Sequence, residues 1–377
     1  MSVHPENPET LRARFTAARA MGKRAKDAAN HIGVSEGEAV AAHCGVHDHA
    51  PKATPLRKPY IELLQALELC GPLMGLTRNE NVVHEKTGVY EKISAQGHMG
   101  LALGDDIDLR LFLNQWHAGY AVTELAANPG NRANISLHFF DKHGKAVHKI
   151  FQREATDVEA WQAVAISFAE PGAVYSFSPA GLKAPPTLDT EFDAKALAVD
   201  WAAMQDTHEF FGLLSKHAIE RQQSFRLVEG QFTHRVEATA VRDMLHEASF
   251  DGTSIMVFVS SGGCIQIHTG PVKRIEPIDV RGTPWLNVLD PNFNLHLRED
   301  RIAHVWVVEK PTADGVVTSL EAFDTQGELM VMFFGARKPG KPELQGWRDI
   351  VAKLPRLGTT RAVAPPRAAS QKTSVVV

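Results

Sequence analysis

The chain has 377 residues, 44% of them hydrophobic and 22% charged, the balance of a globular protein with length for two or three domains. A formal net charge of −4 at pH 7 excludes a general basic field for nucleic acid or an anionic membrane, so an anionic ligand must meet locally placed Lys or Arg. Three widely separated cysteines, Cys44, Cys70 and Cys264, argue against a disulfide framework and fit a reducing compartment.

The opening "MSVHPENPETLRARF" is polar and lacks the apolar run of a signal peptide. No later stretch is apolar for long enough to cross a bilayer, so a cytoplasmic protein without membrane insertion is expected. After a helical start, "HCGVHDH" gathers His43, Cys44, His47 and His49, but no second ligand group follows at zinc-finger spacing and a loop is expected there. "VVHEKTG" then places His84 on a strand. In "DLRLFLNQW", Arg110 alternates with Leu109, Leu111 and Leu113, which puts the guanidinium and Phe112 on the face opposite the leucines.

Pro and Gly accumulate in "FAEPGAVYSFSPAGLKAPPTLDT", where helical periodicity stops. Beyond this join, in "WAAMQDTHEFFGLL", Trp201, Met204, His208 and Phe211 fall at i, i+3, i+7 and i+10. That spacing predicts one continuous helix with an imidazole on its apolar face, either a hydrogen-bonded core histidine or a ligand. Within a helix its second ring nitrogen would donate to a carbonyl one turn back, near Met204. Short apolar runs follow ("SIMVFV", "PWLNVL", "NLHL", "AHVWVVE"), and Cys264 at the head of one of them reads as a small buried hydrophobe.

The chain is written twice. "ISLHFFDKHGKAVHKIF" (135–151) lies over "TSLEAFDTQGELMVMFF" (318–334) at an offset of 183, with Ser, Leu, Phe, Asp, Gly and the final Phe matching. "VVHEKTGVYEKI" lies over "CIQIHTGPVKRI", "IDLRLFL" over "FNLHLRE", and Trp161 over Trp347. The predicted fold is α+β: two similar repeats, each a multi-stranded antiparallel sheet with flanking helices. The expected divisions are an N-terminal repeat over 10–170, a linker over 171–190, a C-terminal repeat over 191–355 and a mobile tail over 356–377. The copies disagree chemically at two candidate positions. His208 falls opposite Lys23, and Arg110 opposite His296.

From about residue 10 to about residue 355 the chain resembles the cytoplasmic hemin-degrading factor and heme-utilisation family of bacterial heme uptake (HemS/ChuS type). The pieces that carry the resemblance are "RNENVVHE", "DLRLFLNQW", "WAAMQDTHEFF", "IMVFV" followed by "GCIQIHTG", "WLNVLDPNF" and "EKPTADGVVTSLEAFD". The resemblance implies a heme cleft beside the second repeat's sheet, with His208 as axial iron ligand, Met204 and Phe211 in the apolar wall, and Arg110 and Phe112 on the distal side. It also implies propionate contacts from Lys310 and Arg337, and a second heme ligand at His84. Where relatives often carry a tyrosine before the G-x-R, this chain has Phe334, which removes a hydroxyl. The implied activity is oxygenative ring opening of heme to release iron. The alternative is a non-catalytic chaperone that passes heme to a separate heme oxygenase. No flavin or nicotinamide motif is evident, so electrons would come from an external donor.

Overall fold

In the computed structural model, residues 7–124, 134–181, 187–280, 282–337 and 340–357 are described. The two halves run through the same elements in the same order: three helices, a strand, a helix, eight strands and a closing helix. The first half comprises α1 (Pro8–Ala20), α2 (Ala25–His31), α3 (Glu36–Ala41), β1 (Lys52–Pro55), α4 (Tyr60–Ala66), β2 (Pro72–Arg78), β3 (Val82–Val89), β4 (Ile93–Gln96), β5 (Met99–Leu103), β6 (Asp108–Phe112), β7 (Ala118–Glu124), β8 (Asn134–Phe140), β9 (Ala146–Gln152) and α5 (Val158–Ser167). The second comprises α6 (Ala194–Ala202), α7 (Glu209–Lys216), α8 (Arg221–Leu227), β10 (Thr233–Val236), α9 (Ala240–Asp251), β11 (Ile255–Ser260), β12 (Cys264–Gly270), β13 (Ile275–Asp279), β14 (Pro284–Asp290), β15 (Phe293–Arg298), β16 (His304–Thr312), β17 (Gly315–Phe323), β18 (Leu329–Gly335) and α10 (Gln345–Ala352). The expected α+β duplication is therefore the architecture.

Neither sheet belongs to one repeat. The strands form two nine-stranded antiparallel sheets, ordered β1-β7-β8-β9-β2-β3-β15-β14-β13 and β10-β16-β17-β18-β11-β12-β6-β5-β4. Each repeat lends its middle meander to the other's sheet. The junctions are equivalent: Arg110 of β6 sits opposite Ile265 of β12, and His296 of β15 opposite Val83 of β3. The repeats are thus not self-contained units meeting at a linker. The first part of the expected linker is also docked, since the Tyr175 hydroxyl donates to the Leu56 carbonyl at 2.8 Å and Ser178 N–H to the Lys142 carbonyl at 2.9 Å. Most of the expected tail lies outside the described residues.

Alternation along the strands divides inner from outer surface. Val257 and Val259 of β11 and Leu295 and Leu297 of β15 share one buried cluster with Met244 of α9 and Trp347 of α10. Leu109, Leu111 and Cys264 enter a second cluster with Leu73, Tyr90 and Trp161. On the outer face of β16 and β17, the helices α6 to α8 bury Trp201, Phe210 and Phe225 against Trp306, Val308 and Phe323.

The continuous helix expected through His208 is broken. α6 ends at Ala202 and α7 begins at Glu209. The side chain of Asp206 accepts the backbone N–H of His208 at 2.8 Å, and Glu209 accepts that of Gln205 at 2.9 Å. Short polar side chains competing for backbone groups are a reason for helices to end. The apolar stripe breaks with the helix: Trp201 and Met204 are buried, whereas Phe211 is 59% exposed.

Candidate functional site

The helices α6 to α8 cover only half of the outer face of the second sheet. Across β18, β11, β12 and β6 that face continues beyond these three helices, with Phe334, Met256, Phe258, Ile265, Arg110 and Phe112 all half-buried. Registers place them side by side: Phe334 against Met256 and Ile265 against Arg110, while Phe258 sits opposite the buried Ile267. Phe258 and Phe334 meet edge to face at 5.0 Å between centroids. Four strands at about 4.8 Å spacing make an apolar floor about 14 Å wide, and the Arg110 guanidinium stands at its far edge. Asp108 on the same strand ion-pairs with that guanidinium.

His208 stands at the near edge, on the loop between α6 and α7, with its side chain 86% exposed. Its Nδ1 lies 2.6 Å from Asp206 Oδ1. A carboxylate only accepts, so this contact assigns the proton to Nδ1 and leaves the Nε2 lone pair facing outward. The partner is Asp206 and not the Met204 carbonyl, because His208 is outside the helix. Two contacts moor this loop. Ala313 N–H donates to the Gln205 carbonyl at 2.9 Å, and the Trp201 indole donates to the Glu309 carbonyl at 2.9 Å.

Arg337, just past β18, pairs with Asp314 at 3.6 Å. Asp206 is held below the usual carboxylate range chiefly by the His208 backbone N–H, with the His208 ring N–H and the Arg337 charge assisting. Arg337 therefore reaches the His208 edge of the floor. Lys310 is 2% exposed, and its Nζ is engaged by Ser319 and Glu321, both at 3.1 Å. Arg221 at the start of α8 grips the same Glu321 through two bonds of 2.6 and 2.8 Å. Burial pushes Lys310 down to about 8, while the two cations hold Glu321 down at about 2 despite burial. The Lys310 ammonium stands 5.0 Å from the Phe210 ring and 5.8 Å from that of Phe334, so the triad joins helical wall to floor. Reading the sequence did not find Arg221, Glu321 or Asp206. Arg221 carried a usable signal, since it falls opposite Glu36 at the same 185 offset that sets His208 against Lys23.

His84 is remote from this face. It is wholly buried between the sheets, beside Phe293 and near His268, and neither ring nitrogen has a hydrogen-bond partner among the described residues. Burial holds it neutral, and it presents no exposed edge to a porphyrin. The histidines of "HCGVHDH" are spent separately: His43 on the Ala39 carbonyl (2.7 Å), His47 on the His43 carbonyl (2.8 Å), and His49 on Glu9 (3.0 Å). Among the described residues no group of three or more His, Cys, Asp and Glu is placed to hold a metal ion. The Cys264 thiol is fully buried and pushed up to about 12, as a structural hydrophobe should be. Among the described residues no helix is long and apolar enough to cross a membrane.

A duplicated α+β unit with exchanged meanders, an apolar floor, an imidazole at one edge and guanidinium groups around it defines a class of two-sheet ligand-binding protein. The haemin-degrading HemS/ChuX domain matches this chain twice, over residues 33–168 and 218–354, and the chain belongs to that family. The hemin transport protein HmuS of Yersinia pestis is 38% identical over 335 residues, covering 88% of this chain and 93% of that protein. The heme-binding protein PhuS of Pseudomonas aeruginosa, solved in its holo form, is 43% identical with a TM-score of 0.86, covering 93% of this chain and 99% of that one. ChuS, an E. coli heme oxygenase, is 36% identical with a TM-score of 0.79, covering 92% and 99%.

Proposed function

We propose that this chain binds heme on the open face of the second sheet, with His208 Nε2 as the axial ligand to iron, and that it opens the macrocycle to release that iron. The carrying observation is the orientation of His208: Nδ1 is occupied by Asp206, and the ring is exposed on a loop moored to the β16–β17 turn beside the apolar floor. A neutral imidazole with its other nitrogen bound to a carboxylate is a well-oriented iron ligand. The floor of Phe334, Met256, Phe258 and Ile265 suits a flat apolar ring, Arg337 supplies a cation for its propionates, and the buried Arg221–Glu321–Lys310 triad holds the helical wall against the floor. Met204 is buried with Trp201 and Phe210 in the helical cluster, and Phe211 is exposed on the helix that His208 precedes.

Heme, as substrate, supplies the iron at which dioxygen and electrons from an external donor act on the ring. The protein's own work is to hold and orient the ring and to present a permanent donor. Arg110, turned from Asp108, would offer that donor over the face opposite His208, with Phe112 beside it on the strand. A second reading is favoured by the openness of the same face: a ligand on an exposed loop suits a carrier that hands heme to a separate oxygenase.

One experiment separates them. The heme complex is followed by visible spectroscopy in air with a reductant and catalase present, alongside His208→Ala. Loss of the Soret band with an open-chain tetrapyrrole product, dependent on His208, establishes degradation. A stable band establishes carriage and sinks the oxygenase reading.

A further inference from the structure

The first repeat carries its own version of this cleft, and its lining is chemically inverted. Strand registers and helix caps fix the equivalences: Arg78 pairs with Val83 as Ser260 pairs with Ile265, and Glu36 opens α3 as Arg221 opens α8. Gly33 and Ala218, both at positive φ (78° and 49°), mark the same turn in each copy. Where the second repeat has Phe211, Ser260, Glu328 and Met332, the first has Lys26, Arg78, Lys145 and Lys149. Conversely, Arg221 and Arg337 become Glu36 and Glu154. Lys23 stands where His208 lies, and at two positions, Lys26 for Phe211 and Lys149 for Met332, a lysine stands where an apolar side chain lay.

These substitutions surround a cleft of about 260 Å³, lined by Lys26, Glu36, Arg78, Glu80, His143 and Lys145 among others. Glu36 ion-pairs with both Arg78 and Lys149, and Glu80 with Lys26. Lys26, Arg78 and Lys145 together draw Glu80 below the ordinary carboxylate range, against its burial, so the three cations converge. In the lining three cations thus face two carboxylates, one of which, Glu36, is also paired with Lys149 from behind. The carboxylate of Asp141 is turned into its own loop, where it accepts the His143 and Lys145 backbone N–H groups at 2.8 and 2.9 Å. Ser261, from the β11–β12 turn, closes one side, so a ligand here would touch both repeats.

We propose that this cleft binds a small phosphate dianion, either free phosphate or the phosphate group of a monoester. The net positive lining suits an anion, and the Arg78 guanidinium presents the planar fork that phosphate oxygens favour. The volume falls just below the usual range for ligand pockets, as suits a small ion. The inference does not depend on the heme reading of the second repeat.

Isothermal titration calorimetry of the full chain at low ionic strength, with inorganic phosphate and separately with methyl phosphate, tests it. Saturable binding of one equivalent is expected, weakened tenfold or more by Lys145→Glu and by Lys26→Gln. Lys142→Glu, a matching charge reversal at an exposed position on the same turn, should leave it unchanged, as should preloading with heme. Tighter binding of methyl phosphate identifies a monoester as the natural ligand, and tighter inorganic phosphate identifies the free ion. Absence of saturable binding, equal weakening by Lys142→Glu, or displacement of phosphate by heme overturns the proposal.

Discussion

Asp206 Oδ1 lies 2.6 Å from His208 Nδ1 and also accepts the His208 backbone N–H at 2.8 Å. One carboxylate therefore ends the helical path, holds the loop and selects the ring nitrogen that faces outward. Asp206→Asn keeps an acceptor oxygen but loses the charge and can present its amide instead. Heme affinity, measured by absorbance titration, should fall about 10- to 100-fold. An unchanged affinity would mean that Asp206 only shapes the loop.

Arg110 belongs to the first repeat in sequence and to the second repeat's sheet in space, through its register with Ile265. If it stabilises charge over the distal face, Arg110→Ala should slow tetrapyrrole formation by about 100-fold while heme affinity falls by less than tenfold. Single-turnover spectra together with a binding titration read both quantities. Equal losses in the two would reassign Arg110 to simple binding.

The strand exchange explains why part of this site was legible and part was not. Anchors such as the Ser-Leu pair and the turn Asp-Gly recur at a nearly constant offset, so duplication and the Arg110/His296 correspondence could be read along the chain, and the registers reproduce that correspondence. Which sheet β6 joins could not, because its alternating pattern satisfies either partner strand equally. The break before α7 was hidden for a local reason: Gln205, Asp206 and Thr207 keep a helical spacing in print, and only the side-chain bond to the His208 amide reveals the turn. Lys310 was expected to face a propionate directly. It lies instead within a buried triad whose members are far apart in sequence.

Phe334 leaves the floor without a hydroxyl beside the Lys310 ammonium, 5.8 Å from its ring. Phe334→Tyr adds a donor at a half-buried position next to Met256 and Phe258, where a new hydrogen bond contributes about 0.5–1.5 kcal/mol. Heme should bind roughly 2- to 10-fold more tightly to this variant by absorbance titration. Weaker binding would show that the hydroxyl finds no partner and costs desolvation alone.

Glu321 is wholly buried between Arg221 and Lys310, and its removal leaves two cations facing each other. Glu321→Ala should cost about 3–5 kcal/mol in denaturant unfolding, the range for breaking a buried ionic group from one side. The pH dependence has a definite sign. Glu321 falls from its ordinary 4.5 to about 2 in the folded chain, so between these values the unfolded chain carries more protons and stability rises with pH. Its contribution is complete above pH 4.5 and is lost as pH falls toward 2. Lys310 is lowered from 10.5 to about 8 by burial, and here too the unfolded chain binds more protons between the two values. Charging the buried ammonium is thus a cost at neutral pH that is relieved as pH rises from 8 to 10.5. Glu36, in the first repeat's cleft, is also held far below its ordinary value by Lys149 and Arg78, so it shares the acid window. Glu321→Gln should therefore flatten, without abolishing, the rise in stability between pH 2 and 4.5, measured by urea unfolding across that range. An unaltered slope would mean that Glu321 contributes nothing to the acid sensitivity.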